Sequence, residues 1–377
     1  MDGLVAGSND QDQKRYLENL TIVVPTYERP HHVMQTVNFW HGRGPRLLIL
    51  DGSPTPIKDE NLFCDMEDLT YVHLPESFQS RLAHSSKWIQ TDYVTLIGDD
   101  EVHMPSSLVA SITELAANPE LASCLGWSVG FKPIVSKGSI VELHGFPGYP
   151  GLKSLNNNHE TSRERLISHF GQYQPSNVYS VVRVDAYANA IRLTGLPGDR
   201  FGGQFEIEYE LAILYQGGSR SLANLHWLRN LRLQKSNTRD PDTIPENLFF
   251  RCFLNSGYST WKNEFLSSRS HYLASIDGQE ATQVRVWLEE ALQLYSERAE
   301  SLSARTLAKD VSFFLRKCAH PFVPLHHRDT VRRFIKLVLH RVPDPSLQEF
   351  VKDLSLSGMT YSQDELSQVI EERFQRE

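Results

Sequence analysis

The sequence predicts an α/β protein with a mostly parallel sheet, helices on both faces of that sheet and an all-helical C-terminal region. Apolar strand-like runs alternate with amphipathic helical patterns through the first part of the chain, which is typical of a parallel sheet covered on both sides. One strand-like run, beginning at Tyr93, ends abruptly in the carboxylates Asp99, Asp100 and Glu101. After about Asp240 only helical patterns remain.

The expected elements follow from the spacing of apolar residues. Short runs rich in Val, Ile, Leu and Tyr indicate strands, and apolar residues three or four positions apart indicate helices. Strands are expected at Leu20–Thr26, Arg46–Asp51, Leu69–Pro75, from Tyr93, and at Leu121–Phe131 and Asn177–Val184, with helices at His32–Trp40, Ser80–Ile89 and Ser106–Leu115. Pro105 suits the first turn of the last of these helices.

The C-terminal region is expected to be helical and punctuated by prolines. Its helical patterns are Glu246–Leu254, Glu280–Ser303, Leu307–Cys318, Asp329–His340 and Ser362–Phe374. We therefore expect a polar N-terminal segment, 1–18, an α/β domain, 19–240, and a helical domain, 241–377. The basic stretch 305–341 suits packing or homo-oligomerisation, and it would also allow peripheral contact with an anionic membrane.

Composition narrows the class of protein. The chain has 377 residues and 40% hydrophobic content, enough for a substantial core. The formal net charge of -8 argues against nucleic acid as a partner. No apolar run approaches the roughly 20 residues needed to cross a bilayer, and the N-terminus lacks a signal-peptide pattern. Four scattered cysteines give neither a disulfide framework nor a zinc site. A cytoplasmic protein is therefore expected, with a membrane-peripheral one as the alternative.

The acidic turn, defined as Asp99, Asp100 and Glu101, is the strongest chemical signal. Strand ends in open α/β sheets face the ligand crevice, and clustered carboxylates there can hold a hard divalent cation against a phosphate. Capping of the following helix is the structural alternative. The chain has no G-x-x-x-x-G-K-[ST] motif, which argues against a P-loop enzyme.

Three motifs resemble one known family. Val23-Val-Pro-Thr-Tyr-Glu-Arg-Pro30, Leu48-Ile-Leu-Asp-Gly-Ser53 and Ile97-Gly-Asp-Asp-Glu-Val-His-Met-Pro105 resemble the nucleotide-sugar-binding half of GT-A-fold, family-2-type glycosyltransferases, over about residues 18 to 235. The resemblance implies a GT-A (Rossmann-like) sheet. It also implies metal-dependent transfer of a sugar from a nucleotide-diphosphate donor to a hydroxyl acceptor on a glycan, polysaccharide or lipid.

The resemblance also implies roles on the donor side. Pro25, Thr26 and Tyr27 would contact the base and ribose, and Arg29 would contact the diphosphate. Asp51 would accept a hydrogen bond from the base, and Arg81 would lie near the ribose and phosphates. A rim aromatic packed on the next helix is the structural alternative for Tyr27. An ordinary turn residue is the alternative for Asp51.

The metal site implied by the resemblance falls on the acidic turn. Asp100 would bind Mg²⁺ or Mn²⁺ bridging the donor phosphates, and Asp99 would bind ribose hydroxyls or a metal-bound water. Glu101 stands where the family usually has Asp, and it would either contact the metal or point away. His226 would complete the metal site, with a hydrogen-bonded core histidine as the alternative.

The catalytic base implied by the resemblance lies in the segment 202–218. Glu208 is the favoured candidate and Glu206 the second, whereas Glu210 is expected to be structural. A base there implies an inverting displacement, with a retaining outcome as the alternative. Two other functions remain open from the sequence: a catalytically inactive nucleotide- or glycan-binding module, and a metal-dependent nucleotidyltransferase.

Overall fold

The computed structural model describes residues 10–57, 66–136, 139–231, 243–319 and 345–375. Most of its strands form one ten-stranded sheet. The strands are β1 Leu20–Thr26, β2 Arg46–Asp51, β3 Leu69–His73, β4 Tyr93–Leu96, β5 Val102–His103, β6 Leu121–Ser136, β7 Ser139–Pro147, β8 Asn156–Asn157, β9 Val181–Arg183, β10 Arg200–Gly202, β11 Gly218–Asn230 and β12 Thr243–Leu248.

The sheet has the strand order β3-β2-β1-β4-β9-β6-β11-β5, with β7 paired to β6 and β8 paired to β11. The first four strands are parallel. Beyond β4 the sheet is mixed: β9 is antiparallel to both β4 and β6, while β6 and β11 are parallel. The predicted α/β fold with helices on both faces of the sheet and a helical C-terminal region is confirmed, although the sheet is parallel only through β3-β2-β1-β4 and mixed beyond it.

Helices cover the sheet on both faces. They are α1 Asp10–Leu17, α2 Pro30–Trp40, α3 Phe78–Ser85, α4 Pro105–Ala117, α5 Ser162–Gly171, α6 Val184–Thr194, α7 Gln204–Gln216, α8 Phe249–Leu254, α9 Ser259–Asp277, α10 Ala281–Ala319, α11 Leu347–Ser355 and α12 Gln363–Ile370, followed by a π-helical turn, Glu371–Gln375. Among the described residues, none of these helices is both long and apolar enough to cross a membrane.

Alternation along the central strands produces two cores, as strand geometry requires. Val23 and Leu48 point into one core, while Ile22, Val24 and Ile49 point into the other. The C-terminal helices contribute to both cores: α8, α9 and α10 pack on the first face, and α11 and α12 on the second. The division into segments 1–18, 19–240 and 241–377 stays a prediction.

The structure differs from the sequence-based expectation in three places. A strand, β12, occupies Thr243–Leu248, where a helix was expected from Glu246, because this segment pairs with β10. The expected helices Glu280–Ser303 and Leu307–Cys318 are one continuous helix, α10. The strand expected at Asn177–Val184 is a 3-10 turn followed by β9.

Part of the basic stretch lies outside the described residues. Positions 320–344, which include the expected helix Asp329–His340, are not described, and neither are the side chains of 304–319. Packing, homo-oligomerisation or membrane contact through 305–341 therefore stays a prediction.

Strand β1 marks the point where the chain reverses direction across the sheet. It pairs with β2 on one side and with β4 on the other, so the loops that leave β1 and β4 diverge at their carboxyl ends. Such a switch point is where open α/β sheets bind ligands. Thr26 ends β1 and the acidic turn follows β4, so both lie at this crevice.

Candidate functional site

Asp99 is the fixed end of the acidic turn. Its carboxylate accepts a hydrogen bond of 2.6 Å from the Thr26 hydroxyl and one of 2.9 Å from the Arg29 guanidinium. Burial raises the pKa of Asp99, and these two partners partly offset that effect. Both carboxylate oxygens are engaged by the protein, so Asp99 joins β1 to β4 across the crevice.

Asp100 presents the more open carboxylate of the aspartate pair. Its side chain is 18% exposed, compared with 5% for Asp99, and it lies 3.3 Å from Arg29. The amide of Asn230 donates a long hydrogen bond of 3.5 Å to it. Arg29 therefore bridges both aspartates, and its own side chain is 24% exposed at the rim of the crevice.

Glu101 turns away toward strand β11. The indole N–H of Trp227 donates to its carboxyl group at 2.9 Å, and the Arg229 guanidinium lies 3.9 Å away. Burial, together with the nearby charge of Asp100, raises the pKa of Glu101 to about 8. Trp227 and Arg229 between them engage both oxygens of the Glu101 carboxyl group, which argues against its predicted metal role.

The loop after β1 is joined to the loop after β2. Glu28 adopts a left-handed backbone with φ 53°, and its N–H donates to the Ser53 hydroxyl at 2.7 Å. Pro25, near the end of β1, and Tyr27, just after it, are both half-buried. Tyr27 is therefore partly accessible, as a base-stacking role requires.

Asp51 is fully buried. Its carboxylate accepts hydrogen bonds from the N–H and the hydroxyl of Ser53 and, at 2.6 Å, from the Tyr71 hydroxyl. These bonds argue that Asp51 shapes the loop rather than contacting a nucleobase directly.

Arg81 is also buried. Its guanidinium donates to the main-chain oxygens of Thr26 at 2.6 Å and Leu50 at 3.2 Å. Gly52 makes this contact possible, because a Cβ at that position would lie 2.0 Å from the Arg81 side chain. Arg81 thus holds the ends of β1 and β2 together, which argues against the predicted contact with ribose and phosphate.

His226 is a core histidine. It hydrogen-bonds to the Ser107 hydroxyl at 2.7 Å and to the main-chain oxygen of Tyr179 at 3.2 Å, so both ring nitrogens are in use. Burial lowers its pKa to about 4, and the ring packs against that of His103. The predicted metal role of His226 is not supported by these contacts.

The two candidate bases differ in accessibility. Glu208 is fully buried and pairs with Arg269 at 2.7 Å, with a further contact from Gln204 at 3.2 Å. Glu206, in the first turn of α7, is half-buried. Burial and the charge of Glu210 raise the pKa of Glu206. This geometry argues against Glu208, the favoured candidate, and favours Glu206.

An aromatic and basic group lies beside Glu101 and Glu206. Trp227 stacks on Tyr179, with ring centroids 3.8 Å apart, and on Tyr149 at 5.8 Å. Arg229 packs over the rings of Tyr149 and Trp227 and interacts electrostatically with both glutamates. The sequence analysis does not identify this group, although Trp227 directly follows His226 and Arg229 lies three positions after it in the same strand.

The site offers limited direct ligation for a cation. Within the described ranges, no three His, Cys, Asp or Glu side chains converge as a metal site. Within the acidic turn, Asp100 has the most exposed carboxylate, at 18% compared with 5% for Asp99 and 11% for Glu101. Magnesium is often bound through one or two carboxylates together with substrate phosphates, so Asp100 fits such a cation, whereas Glu101 and His226 do not.

Comparisons with known proteins give structural neighbours only. No protein-family model matches the chain, and no curated protein matches it in sequence. A crystal structure of S. aureus TarS 1–349 has a TM-score of 0.44 at 12% identity and covers 88% of this chain and 83% of its own. The same protein in complex with UDP has a TM-score of 0.42 at 11% identity, and the match covers 82% of this chain and 77% of that one. Its complex with UDP-GlcNAc has a TM-score of 0.41 at 12% identity, and the match covers 91% of this chain and 93% of that one.

Replacing Glu208 by Gln should destabilise the protein. Arg269 would remain buried without its countercharge, a loss that typically costs about 3 to 5 kcal/mol. Urea unfolding measures the free energy of unfolding directly. Glu206→Gln is the matched control and should change stability by less than about 1 kcal/mol. Equal effects of the two changes would contradict the structural assignment of Glu208.

The raised pKa of Glu101 predicts a specific pH dependence of stability. The folded state holds this proton more tightly than the unfolded state, so the contribution is complete below the ordinary value of 4.5 and is lost as pH rises through about 8. Glu101→Gln removes this titration and keeps an acceptor for Trp227. Without added metal, the melting temperature of the wild type should therefore fall more steeply than that of Glu101→Gln between pH 4.5 and about 8. Parallel profiles would contradict the raised pKa.

Proposed function

We propose that the chain is a metal-dependent glycosyltransferase that moves a sugar from a nucleotide-diphosphate donor to a hydroxyl acceptor. The observation that carries the proposal is the acidic turn. Asp99 anchors it to β1 through Thr26, while Asp100 and Arg29 remain accessible at the crevice. An anchored carboxylate beside an accessible carboxylate and an arginine suits the binding of a diphosphate.

The donor would lie across the loops after β1 and β2. In this proposal Pro25 and Tyr27 contact the base and ribose, with the Tyr27 ring stacking on the base, while the buried Thr26 holds Asp99. Arg29 would turn from the aspartates to the diphosphate, where guanidinium geometry allows paired hydrogen bonds to phosphate oxygens. Asp51 and Arg81 would act indirectly by holding the two loops in place.

Asp100 would hold Mg²⁺ or Mn²⁺ together with the donor phosphates. When bound, the cation supplies neutralisation of the negative charge that develops on the leaving nucleoside diphosphate. Asp99 would keep the turn oriented so that the Asp100 carboxylate faces the crevice.

Glu206 would act as the general base. It removes the proton from the acceptor hydroxyl, whose oxygen forms a bond to the anomeric carbon as the bond from that carbon to the diphosphate breaks. This single displacement inverts the configuration. The raised pKa of Glu206 suits proton abstraction near neutral pH, because a base is most effective when its pKa lies near the working pH.

One observation favours a second candidate, an inactive nucleotide- or glycan-binding module. Arg29 already pairs with both aspartates, at 2.9 and 3.3 Å, and the charge of Arg373 acts on both as well, so the acidic turn can persist without a bound cation. Ligand binding without turnover would select this alternative.

Donor binding should depend on Asp100 and on the cation. We expect one nucleotide class to raise the melting temperature in the presence of Mn²⁺, with the shift lost in EDTA. Asp100→Ala should weaken donor binding by about 100-fold, since one strong charge contact is worth about 3 kcal/mol. UDP and UDP-GlcNAc open the ligand panel because complexes of TarS contain them.

Asp185→Ala is the control for this experiment. Asp185 is an exposed aspartate in the first turn of α6, and its replacement should leave the ligand-induced shift unchanged. Equal binding by wild type and Asp100→Ala would contradict the assigned site. Release of pyrophosphate rather than a nucleoside diphosphate would identify a nucleotidyltransferase.

Glu206→Gln should lower kcat by about 100- to 10,000-fold, the range typical for removal of a general base. Donor binding should be retained, because the change leaves the acidic turn intact. In the wild type, kcat/KM should fall as pH drops below the raised pKa of Glu206, and this limb should vanish in the variant. A variant with wild-type kcat would overturn the assignment of Glu206 as the base.

A further inference from the structure

The far C-terminal end of the described chain returns to the acidic turn. We define residues 362–375, comprising α12 with its cap and the π-helical turn after it, as the C-terminal clamp. Leu366, Val369, Ile370 and Phe374 are buried in the core that also contains α2 and α4. Apolar packing therefore fixes the clamp against the helices on either side of the crevice.

Arg373 contacts the first end of the acidic turn. It is almost fully buried and donates to the main-chain oxygen of Asp99, to the Thr36 hydroxyl at 2.9 Å and to the Gln35 side chain at 3.1 Å. Burial lowers its pKa to about 10, with Asp99 and Asp100 opposing that effect. The guanidinium is therefore charged at neutral pH.

Glu365 contacts the helix that follows the turn. Its carboxylate accepts hydrogen bonds from the Ser106 N–H at 2.7 Å and from the Ser106 hydroxyl at 2.5 Å. Ser106 lies in the first turn of α4, where backbone N–H groups have no partner within the helix. The N-cap residue of α4 is Met104, which carries no oxygen for capping, so Glu365 supplies the cap from a distant part of the chain.

These contacts are more than packing requires. A buried charged group is expensive in free energy unless it is paired and hydrogen-bonded, and apolar residues could have filled the same volume. Arg373 and Glu365 instead direct their polar atoms to the two ends of the same segment, Asp99 and Ser106. The part between those ends contains Asp100 and Glu101.

We propose that Arg373 and Glu365 are positioning residues, which hold the acidic turn in the conformation that binds the donor diphosphate. The identity of the ligand in this inference rests on the proposed glycosyltransferase function. The effect of the two residues on the conformation of the acidic turn does not depend on that function. The clamp acts through the Asp99 backbone and the start of α4, and thereby fixes the direction of the Asp100 carboxylate.

Arg373→Lys and Glu365→Gln test the clamp. Each keeps most of the side-chain volume but loses part of the contact. Hydrogen exchange of the ligand-free protein should accelerate about tenfold at the amides of 99–107, as local opening becomes easier. The dissociation constant for the Mn²⁺ complex of the donor nucleotide should rise about tenfold, while the acceptor KM stays unchanged.

Gln368→Ala is the matched control. Gln368 lies in the same clamp, is exposed and donates to Glu372 at 3.0 Å. Its replacement should leave both the exchange of 99–107 and donor binding at wild-type values. Equal exchange in wild type, Arg373→Lys and Glu365→Gln would overturn the clamp, and so would faster exchange in Gln368→Ala to the same extent.

The two proposals fail in different ways. If the wild type binds none of the nucleotides, the proposed function fails, whereas the exchange of 99–107 still reports on the clamp. If the wild type binds a donor and both clamp variants bind it equally well, the clamp is wrong and the proposed function stands.

Discussion

The arrangement of the crevice depends on the neutralisation of two adjacent aspartates by two arginines. Asp99 and Asp100 lie in a largely buried turn, where like charges repel strongly. Arg29 contacts both carboxylates directly, and the charge of Arg373 acts on both from beneath the turn. Burial favours the protonated form of Glu101, so this residue adds little negative charge to the turn. The turn can therefore fold before any ligand binds.

This charge balance explains how the site can be both stable and receptive. Arg373 is enclosed by the core and cannot leave, so it serves the folded state. Arg29 lies at the rim, where it can exchange its aspartate partners for the phosphates of a ligand. A cation arriving with the donor would then take over the countercharge for Asp100. Binding would exchange one set of ion pairs for another, at a lower free-energy cost than leaving the carboxylates buried without a countercharge.

The sequence predicted the features that depend on local pattern. Strands β1 and β2, the acidic turn and the helix beginning at Pro105 all follow from apolar spacing and from residues adjacent in the chain. The sequence also predicts that the first-strand loop and the acidic turn meet, because parallel strands bring their carboxyl ends to one edge of the sheet. Thr26 and Asp99, joined at 2.6 Å, lie where that reasoning puts them.

Partners from distant parts of the chain were not predictable. The resemblance favours Glu208 as the base, and nothing local in the sequence indicates that Arg269, 61 positions away, pairs with it. Arg373 lies 274 positions from Asp99, within a helical pattern that gives no sign of a polar role. His226 and Asp51 show the same limitation, since a single sequence does not reveal whether a polar side chain is already satisfied by the core.

The most direct test of the central claim is a crystal structure of the protein with a nucleoside diphosphate and Mn²⁺. The account predicts the diphosphate at the crevice between β1 and β4, the cation on Asp100 and the Arg29 guanidinium turned from the aspartates to the phosphates. Asp99 and Arg373 should keep their present contacts. A nucleotide bound elsewhere, or one bound here with Arg29 still bridging both aspartates, would contradict the account.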